Sequence, residues 1–260
     1  RHEQGSKAAV SHTGALVGSD AVFDSALRRA GVLRVDDFTD FFSTAATLSS
    51  GLRTSGNRLA VVTNAGGPGV MAADHCSDVG LTLAELDKDT LERLNEVLPE
   101  NWSHNNPVDV IGDAPPERYK ETLDICLADP GVDGAIVILT PQAMTRPTEV
   151  AEAVVAAAKN SKKPVTTSWM GGGQVAAARE IFNNAHVPDF GTLENAVDAF
   201  SYLARYNRNQ RLLLQTPSPL ISGQKEPDRE GAKLIIEAVL RDSRNILTEP
   251  ESMAILSAFG

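Results

Sequence analysis

The sequence has few aromatic residues, few cysteines and fewer basic than acidic side chains. Aromatic residues make up 5% of the 260 positions, and the two cysteines are Cys76 and Cys126. Both cysteines lie in apolar-periodic contexts, which predicts buried thiols in a reducing compartment. The formal net charge of −10 argues against nucleic acid or an anionic membrane surface as a partner.

Long hydrophobic runs are also missing. No apolar stretch approaches the ~18–20 residues that a membrane-spanning helix needs. The opening stretch, "RHEQGSKAAV", lacks the apolar core of a signal peptide. We therefore expect a cytoplasmic location and no membrane partner. The chain also lacks an initiator Met, and we expect both of its ends to fall within a longer protein.

Several motifs that would indicate common chemistries are absent. No grouping of His, Cys and Asp has metal-ligand spacing, so no metal site is predicted from the residues. Neither a Ser–His–Asp order nor a G-x-S-x-G elbow occurs. The glycine-rich turn does not fit G-x-G-x-x-G, and no acidic residue closes the second strand in the dinucleotide pattern.

The middle of the chain alternates short apolar strands with amphipathic helices. This alternation predicts an α/β fold with a flavodoxin-like doubly wound parallel sheet. Before it, residues 1–52 form a Gly/Ser/Thr/Ala-rich loop and two predicted helices, the second opening near Asp36 or Asp37. After it, residues 216–260 form a Pro/Ser-rich linker and two predicted helices. The predicted strands are 58–64, 81–86, 134–140, 163–171 and 187–190, and the first predicted helix after the glycine-rich turn is 70–80.

A glycine-rich turn follows the first predicted strand, where ligands gather in sheets of this class. It reads Asn64–Ala65–Gly66–Gly67–Pro68–Gly69. Free amides at a helix N-terminus bind anions, and glycines allow close approach. An anion or phosphate site is favoured here, while a purely structural strand-to-helix turn stays open.

Three further segments are predicted at the same edge of the sheet. They are the loop 104–114 with Asp109, the loop 140–147, and Gly171–Gly172–Gly173, which could supply a second set of free amides. Each signal is weak alone, and for 104–114 a structural turn is the default interpretation.

His12 lies near the start of the chain, in "AAVSHTGALVGSD". A neutral imidazole has a nucleophilic nitrogen that can take a phosphoryl group, and helix N-terminal amides would stabilise the product. From the residues alone, a surface histidine without function is the more common case. His75, within a predicted helix, is expected to be a partly buried packing residue.

At these residues the sequence resembles the NDP-forming acyl-CoA synthetases, the superfamily of succinyl-CoA synthetase and ADP-forming acetyl-CoA synthetase. The segments that carry the resemblance are spread over essentially the whole chain. They are "SHTGALVGSDAVFDSALRRAGVLRVDDFTDFF", "VVTNAGGPGVMAADHCSDVGLTL", "NPVDVIGDA", "ILTPQAMTRP" and "ILTEPESMAILSAFG".

The resemblance implies a reversible reaction of acyl-CoA, ADP and phosphate to give carboxylic acid, CoA and ATP. His12 would carry the phosphoryl group, and Asn64, Gly66, Gly67 and Gly69 would bind phosphate at the start of a helix. CoA, ATP or ADP, and Mg²⁺ are the implied cofactors, with sites mainly outside this chain, so the chain alone is expected to be inactive.

The resemblance also implies the domain organisation. Residues 1–52 would end a preceding ligase-like domain and hold the phosphohistidine loop, and 53–215 would form the flavodoxin-like ligase-CoA domain. Residues 216–260 would be a linker and the start of an ATP-grasp domain. The partners implied are the small-molecule substrates and the missing CoA-binding and ATP-grasp domains; homo-oligomerisation stays open.

Two other interpretations remain at this point. Some bacterial protein-lysine acetyltransferases carry a similar, non-catalytic region that senses acyl-CoA or another metabolite. The histidine is often replaced there, and its presence here favours the enzyme. A plain interaction scaffold is the third interpretation.

Overall fold

The computed structural model describes residues 19–215 and 227–259. The chain divides into two compact units, Arg1–Gln215 and Thr216–Gly260. Among the described residues, no helix is both long and apolar enough to cross a bilayer. The chemistry predicted from the sequence falls in the first unit.

A parallel sheet is the centre of the first unit. Its order is β2–β1–β4–β5–β6, and β3 also pairs with β1, beyond the end of β2. This is the predicted doubly wound topology, because neighbouring parallel strands are joined by helices that cross over the sheet. The strands are β1 (Arg58–Thr63), β2 (Thr82–Leu83), β3 (Val108–Asp109), β4 (Gly134–Leu139), β5 (Val165–Trp169) and β6 (Asp189–Phe190).

Helices flank the sheet, and two more belong to the second unit. A short 3₁₀ turn, Gly173–Val175, precedes α7. The helices are α1 (Asp20–Arg29), α2 (Phe38–Ser49), α3 (Gly66–Asp78), α4 (Lys88–Val97), α5 (Pro116–Ala128), α6 (Pro147–Asn160), α7 (Ala176–Ala185), α8 (Leu193–Leu213), α9 (Arg229–Arg241) and α10 (Glu249–Phe259).

The side chains of the apolar strands contribute to two separate hydrophobic cores, one on each face of the sheet. Leu59 and Val61 of β1 pack with α3 and α8, whereas Ala60 and Val62 pack with α4, α5, α6 and α7. Alternate strand residues point to opposite faces, so an apolar run such as this must be covered on both sides. Each fully buried aliphatic side chain stabilises the fold by roughly 1.5–3 kcal/mol.

The strand next to β1 is broken, which corrects the predicted strand 81–86. Only Thr82 and Leu83 form β2, and the separate strand β3, which was not predicted, takes its place at the carboxyl end. Between them the buried Asn106 accepts from Val61 N and donates to Leu59 O and Ala84 O, each at 2.9 Å. Its amide satisfies backbone groups of β1 that would otherwise be unpaired in the core.

Helices α1 and α2 belong to the same compact unit as the sheet. The N-cap of α2 is Asp37, whose carboxylate accepts from Asp40 N at 2.8 Å. The Tyr202 hydroxyl on α8 donates to the Asp40 carboxylate at 2.7 Å, which fastens α2 to the long helix. The domain boundary at residues 52 and 53 stays a prediction.

The second unit is a helix pair. The Asp228 carboxylate caps α9 by accepting from Gly231 N at 2.8 Å, and Asp228 N donates to Ala258 O of α10 at 2.8 Å. Glu251 accepts from Thr248 N at 2.7 Å, which is half of a capping box at the start of α10. Its assignment to an ATP-grasp domain stays a prediction.

Candidate functional site

The glycine-rich turn between β1 and α3 lies at the carboxyl edge of the sheet. Helix α3 begins at Gly66, four residues earlier than predicted, so the three glycines of the turn lie in its first turn. The N-cap is Ala65, whose side chain cannot accept a hydrogen bond, and no side chain in the described residues caps α3. The first amides of α3 are therefore open to an outside anion.

Within residues 19–215 and 227–259, two of those amides have no partner. Ala65 N donates to Thr63 Oγ1 at 3.1 Å, Gly69 N donates to Ala65 O at 3.2 Å, and Pro68 has no N–H. Gly66 N and Gly67 N remain, at the positive end of a 13-residue helix. This arrangement suits one phosphate-sized anion.

Asn64 fixes the turn rather than pointing a free amide at a ligand. It is buried, its Nδ2 donates to Thr140 O at 2.9 Å, and its Oδ1 accepts from Thr140 N at 2.9 Å. This reciprocal pair joins the ends of β1 and β4. The phosphate contact predicted for the Asn64 side chain stays a prediction, and the structure gives the residue a positioning role.

Space around the turn explains two of its glycines. A Cβ on Gly69 would lie 3.0 Å from Thr63 Cγ2 and 3.3 Å from Pro107 Cβ, so Gly69 lets α3 pack closely on the sheet. A Cβ on Gly67 would meet no atom of the described residues within 4 Å, so those residues leave that side of the turn open for a ligand. Gly69 thus serves packing, and Gly67 borders free space.

An acidic side chain stands beside the open amides. Asp109 Oδ1 accepts from Ile111 N at 2.8 Å, while Oδ2 would lie 3.6 Å from a Cβ on Gly66. The helix dipole favours this carboxylate, and an anion bound at Gly66 and Gly67 would lie close to it. Asp109 can therefore accept a hydrogen bond from a group that approaches the anion. Burial of the Tyr119 hydroxyl raises the pKa of Tyr119, and the charge of Asp109 raises that pKa further.

The loop 140–147 is held against the same turn. Gln142 N donates to Thr145 Oγ1 at 2.9 Å, and Gln142 Nε2 donates to Asn64 O at 3.4 Å. A Cβ on Gly112 would collide with the Gln142 side chain. The absence of a side chain at Gly112 therefore leaves room for the Gln142 amide. Three of the predicted loops thus meet at one point.

The second glycine-rich turn, Gly171–Gly172–Gly173, is built differently. It leads into the 3₁₀ turn and only then into α7. Arg179 Nη2 donates to Trp169 O at 2.8 Å and to Gly171 O at 3.3 Å, and Arg179 Nε lies 3.4 Å from Asp189 Oδ2. Burial raises the pKa of Asp189. Sequence reasoning missed Arg179, because its role depends on contact between α7 and the ends of β5 and β6.

The remaining predicted residues have separate positions. His12 lies outside the described residues. His75 Nε2 is 2.8 Å from Asp198 Oδ1, so this half-buried histidine joins α3 to α8 as a packing residue. The thiols of Cys76 and Cys126 are buried, as predicted, and burial raises their pKa values to about 11 and about 12.

Sequence and structure comparisons agree on the relatives of this chain. The family described as the Ligase-CoA domain matches residues 59–214, and the succinyl-CoA ligase like flavodoxin domain matches residues 1–48. The ADP-forming 4-hydroxybutyrate–CoA ligase of Nitrosopumilus maritimus is 33% identical over 260 residues, covering 100% of this chain and 36% of that protein. The ADP-forming acetate–CoA ligase I of Archaeoglobus fulgidus is 36% identical, again over 100% of this chain and 36% of the relative.

A solved structure shares the fold. It is the acetyl-coenzyme A synthetase 1 of Ca. Korarchaeum cryptofilum in complex with phosphate and ADP, with a TM-score of 0.77 and 33% sequence identity. The match covers 84% of this chain and 48% of the other. The chain thus spans 36% of the length of the two curated relatives and about half of this structure.

Proposed function

The chain belongs to the Ligase-CoA domain family, and on this premise we propose that it is part of an ADP-forming acyl-CoA synthetase. Within that enzyme, this chain would take part in phosphoryl transfer. The observation that carries the proposal is the uncapped, glycine-lined start of α3 at the carboxyl edge of the sheet. The names of the relatives favour the enzyme over the regulatory region of an acetyltransferase.

The proposed reaction has three balanced steps. Phosphate displaces CoA from acyl-CoA and forms an acyl phosphate. A nitrogen of the His12 imidazole attacks that phosphorus, and the carboxylic acid leaves as its carboxylate. The phosphoryl group then passes from the imidazole to ADP, which gives ATP and restores His12.

The residues at the start of α3 would stabilise the middle step. Gly66 N and Gly67 N would donate to phosphoryl oxygens, and the helix dipole would favour the negative charge by about 0.3–2 kcal/mol. The Asn64–Thr140 pair would keep the turn in place, so that no reorganisation accompanies transfer. Asp109 would accept a hydrogen bond from the incoming imidazole, whose other nitrogen carries the phosphoryl group.

The other participants are assigned to regions outside this chain. Residues 19–215 and 227–259 contain no group of three His, Cys, Asp or Glu side chains that could hold a metal ion. Because this chain spans 36% of each of the two curated relatives, the sites for Mg²⁺, ATP or ADP, and CoA are proposed to lie mainly outside it. The acyl group is left open, and the activity would reside in the cytoplasm.

The test uses the full-length protein, γ-labelled ATP and Mg²⁺. We expect an acid-labile, base-stable phosphoenzyme that His12→Ala abolishes. The control is His186→Asn, because His186 has φ 57° and asparagine tolerates that conformation. Label retained in His12→Ala would assign the carrier to another residue. No label in a wild-type protein that binds acyl-CoA would support the regulatory alternative.

A further inference from the structure

A groove rich in arginine lies at the opposite edge of the sheet from the glycine-rich turn. Two adjoining cavities of about 300 and 320 Å³ form it, and they share Val79, Gly80, Arg205 and Arg208. Gly80 follows the end of α3 and leads into β2, so the groove is at the amino edge. The length of β1, six residues at roughly 3.3 Å each, separates it from Gly66 and Gly67.

The charge of this lining is opposite to that of the chain. Among the residues that line the two cavities, Asp24 is the acidic one and five are arginines. The chain as a whole has a formal net charge of −10. Such a local concentration of guanidinium groups attracts an anion against the field of the whole protein. We call this feature the arginine groove, formed by Arg28, Arg34, Arg205, Arg208 and Arg211.

Some of these guanidinium groups already have partners. Arg28 Nη2 lies 2.8 Å from Asp24 Oδ2, and both terminal nitrogens of Arg34 donate to the Asp20 carboxylate at 3.0 Å. Arg205 donates to Arg34 O at 3.4 Å. These contacts hold the walls of the groove, and they leave its charge only partly neutralised.

Two arginines are uncommitted. Within the described residues, neither Arg208 nor Arg211 has a hydrogen bond or an ion pair, and both are exposed. With Arg205 they recur at every third position of α8, a spacing that puts neighbouring side chains about 5–6 Å apart at Cβ. Their forks can therefore reach adjacent charged groups of one ligand, and guanidinium groups bind phosphate oxygens in pairs.

We propose that the arginine groove binds a compound with two or more linked phosphate groups, such as pyrophosphate or a nucleoside diphosphate. Arg208 and Arg211 would contact successive phosphate groups of the ligand. Arg205, which lines both cavities, would bound the ligand where the two cavities join. A single phosphate would bind more weakly, because it cannot bridge two forks. This site is separate from the phosphate site of the proposed function and does not depend on it.

The test is calorimetric titration of the full chain with inorganic pyrophosphate at low salt. We expect saturable binding, at least tenfold weaker for orthophosphate and weakened further by added NaCl. Arg208→Gln/Arg211→Gln should weaken pyrophosphate binding at least tenfold. Arg208→Lys/Arg211→Lys should fall between this variant and wild type, because lysine keeps the charge and loses the fork. A parallel titration with ADP tells whether a nucleoside is accepted or only the inorganic anion.

Two further variants separate this site from others. Gly67→Asp places a carboxylate at the start of α3 and should leave unchanged the pyrophosphate binding that Arg208→Gln/Arg211→Gln removes. Arg241→Gln removes an exposed arginine from the second unit and should also have no effect. The proposal is overturned if wild type shows no saturable binding, if Gly67→Asp abolishes it, or if Arg241→Gln weakens it as much as the double variant. Thermal melting of each variant confirms that the fold is retained.

Discussion

Two glycine-rich turns lie at the same edge of one sheet and do different things. The turn after β1 leads directly into α3, a helix of 13 residues, and in the part of the chain that the structure describes no side chain caps this helix and two of its amides stay open. The turn after β5 leads into a 3₁₀ turn, and Arg179 binds the carbonyl groups of Trp169 and Gly171. Glycine content alone therefore does not determine whether backbone N–H groups are left open at a turn.

The difference lies in which backbone groups are exposed. At the first turn the uncommitted groups are N–H donors at the positive end of a helix. At the second turn, the exposed backbone groups are carbonyl oxygens, which accept hydrogen bonds from the Arg179 guanidinium group. Gly171, at φ 132°, permits the backbone conformation of this turn. The first turn has open donors, and the hydrogen-bonded pair of Asn64 and Thr140 fixes the backbone that carries them.

The largest effect on stability is expected from removing the Asn64–Thr140 pair. Asn64→Ala leaves Thr140 N and Thr140 O without their partners at 2.9 Å, so the free energy of unfolding should fall by about 2–4 kcal/mol. Urea unfolding measures the change. Asn184→Ala, at an exposed position of α7, is the matched control and should stay within about 0.5 kcal/mol of wild type. Equal effects of the two variants would mean that the Asn64–Thr140 pair does not account for the difference between the two turns.

The second turn should respond to loss of Arg179. Arg179→Met removes the donor to Trp169 O and the cation beside the buried Asp189, and should cost about 1–2 kcal/mol at pH 7. Burial raises the pKa of Asp189, and this loss raises it further. A raised carboxylate pKa means that stability declines as pH rises from the unfolded to the folded pKa.

The pH dependence gives the decisive measurement for Arg179. The deficit of Arg179→Met relative to wild type should be larger at pH 7 than at pH 4, where more Asp189 is protonated. In an Asp189→Asn background the same comparison should show little pH dependence. A deficit that is identical at both pH values in the Asp189 protein would mean that the ion pair contributes nothing to this turn.

The close packing of Gly69 should give a smaller effect. A Cβ there would press on Thr63 Cγ2 and Pro107 Cβ, and Thr63 cannot swing away because its hydroxyl donates to Ala65 O at 3.0 Å. Gly69→Ala is expected to destabilise by about 1 kcal/mol, with strain outweighing the gain in helix propensity. Gly173→Ala, at the first residue of the 3₁₀ turn, where a Cβ would meet no described atom within 4 Å, is the matched control; an increase in stability for Gly69→Ala would show that the contact relaxes.

The pattern of apolar residues in the sequence was sufficient to predict the layers of the fold. Continuous apolar runs over β1 and β4 predicted a parallel sheet covered on both faces, and the two separate cores confirm it. The broken edge strand could not be predicted, because its continuity depends on Asn106, whose amide bonds to backbone groups 22 to 47 residues away in the chain. No local pattern in "HNNPVDV" carries that information.

The site was predictable in part for the same reason. The glycines and proline of the first turn predicted a helix start at the carboxyl edge, and the structure places Gly66, Gly67 and Gly69 together in the first turn of α3. The roles of Asn64 and Arg179 rest on contacts with Thr140 and with the ends of β5 and β6. These are tertiary contacts, and a single sequence shows only that polar residues occur there.

The smallest expected change in stability comes from Gly67, and it separates stability from binding. A Cβ on Gly67 meets nothing within 4 Å, so Gly67→Ala should stabilise the fold by up to about 0.5 kcal/mol through helix propensity. The same methyl group would occupy the space through which a phosphate reaches Gly67 N. We therefore expect a several-fold lower yield of phosphoenzyme in the full-length protein, with Gly173→Ala unchanged in the same assay. If Gly67→Ala were as active as wild type, the open side of the turn would not be the route of the phosphoryl group, and the two glycine turns would differ in shape alone.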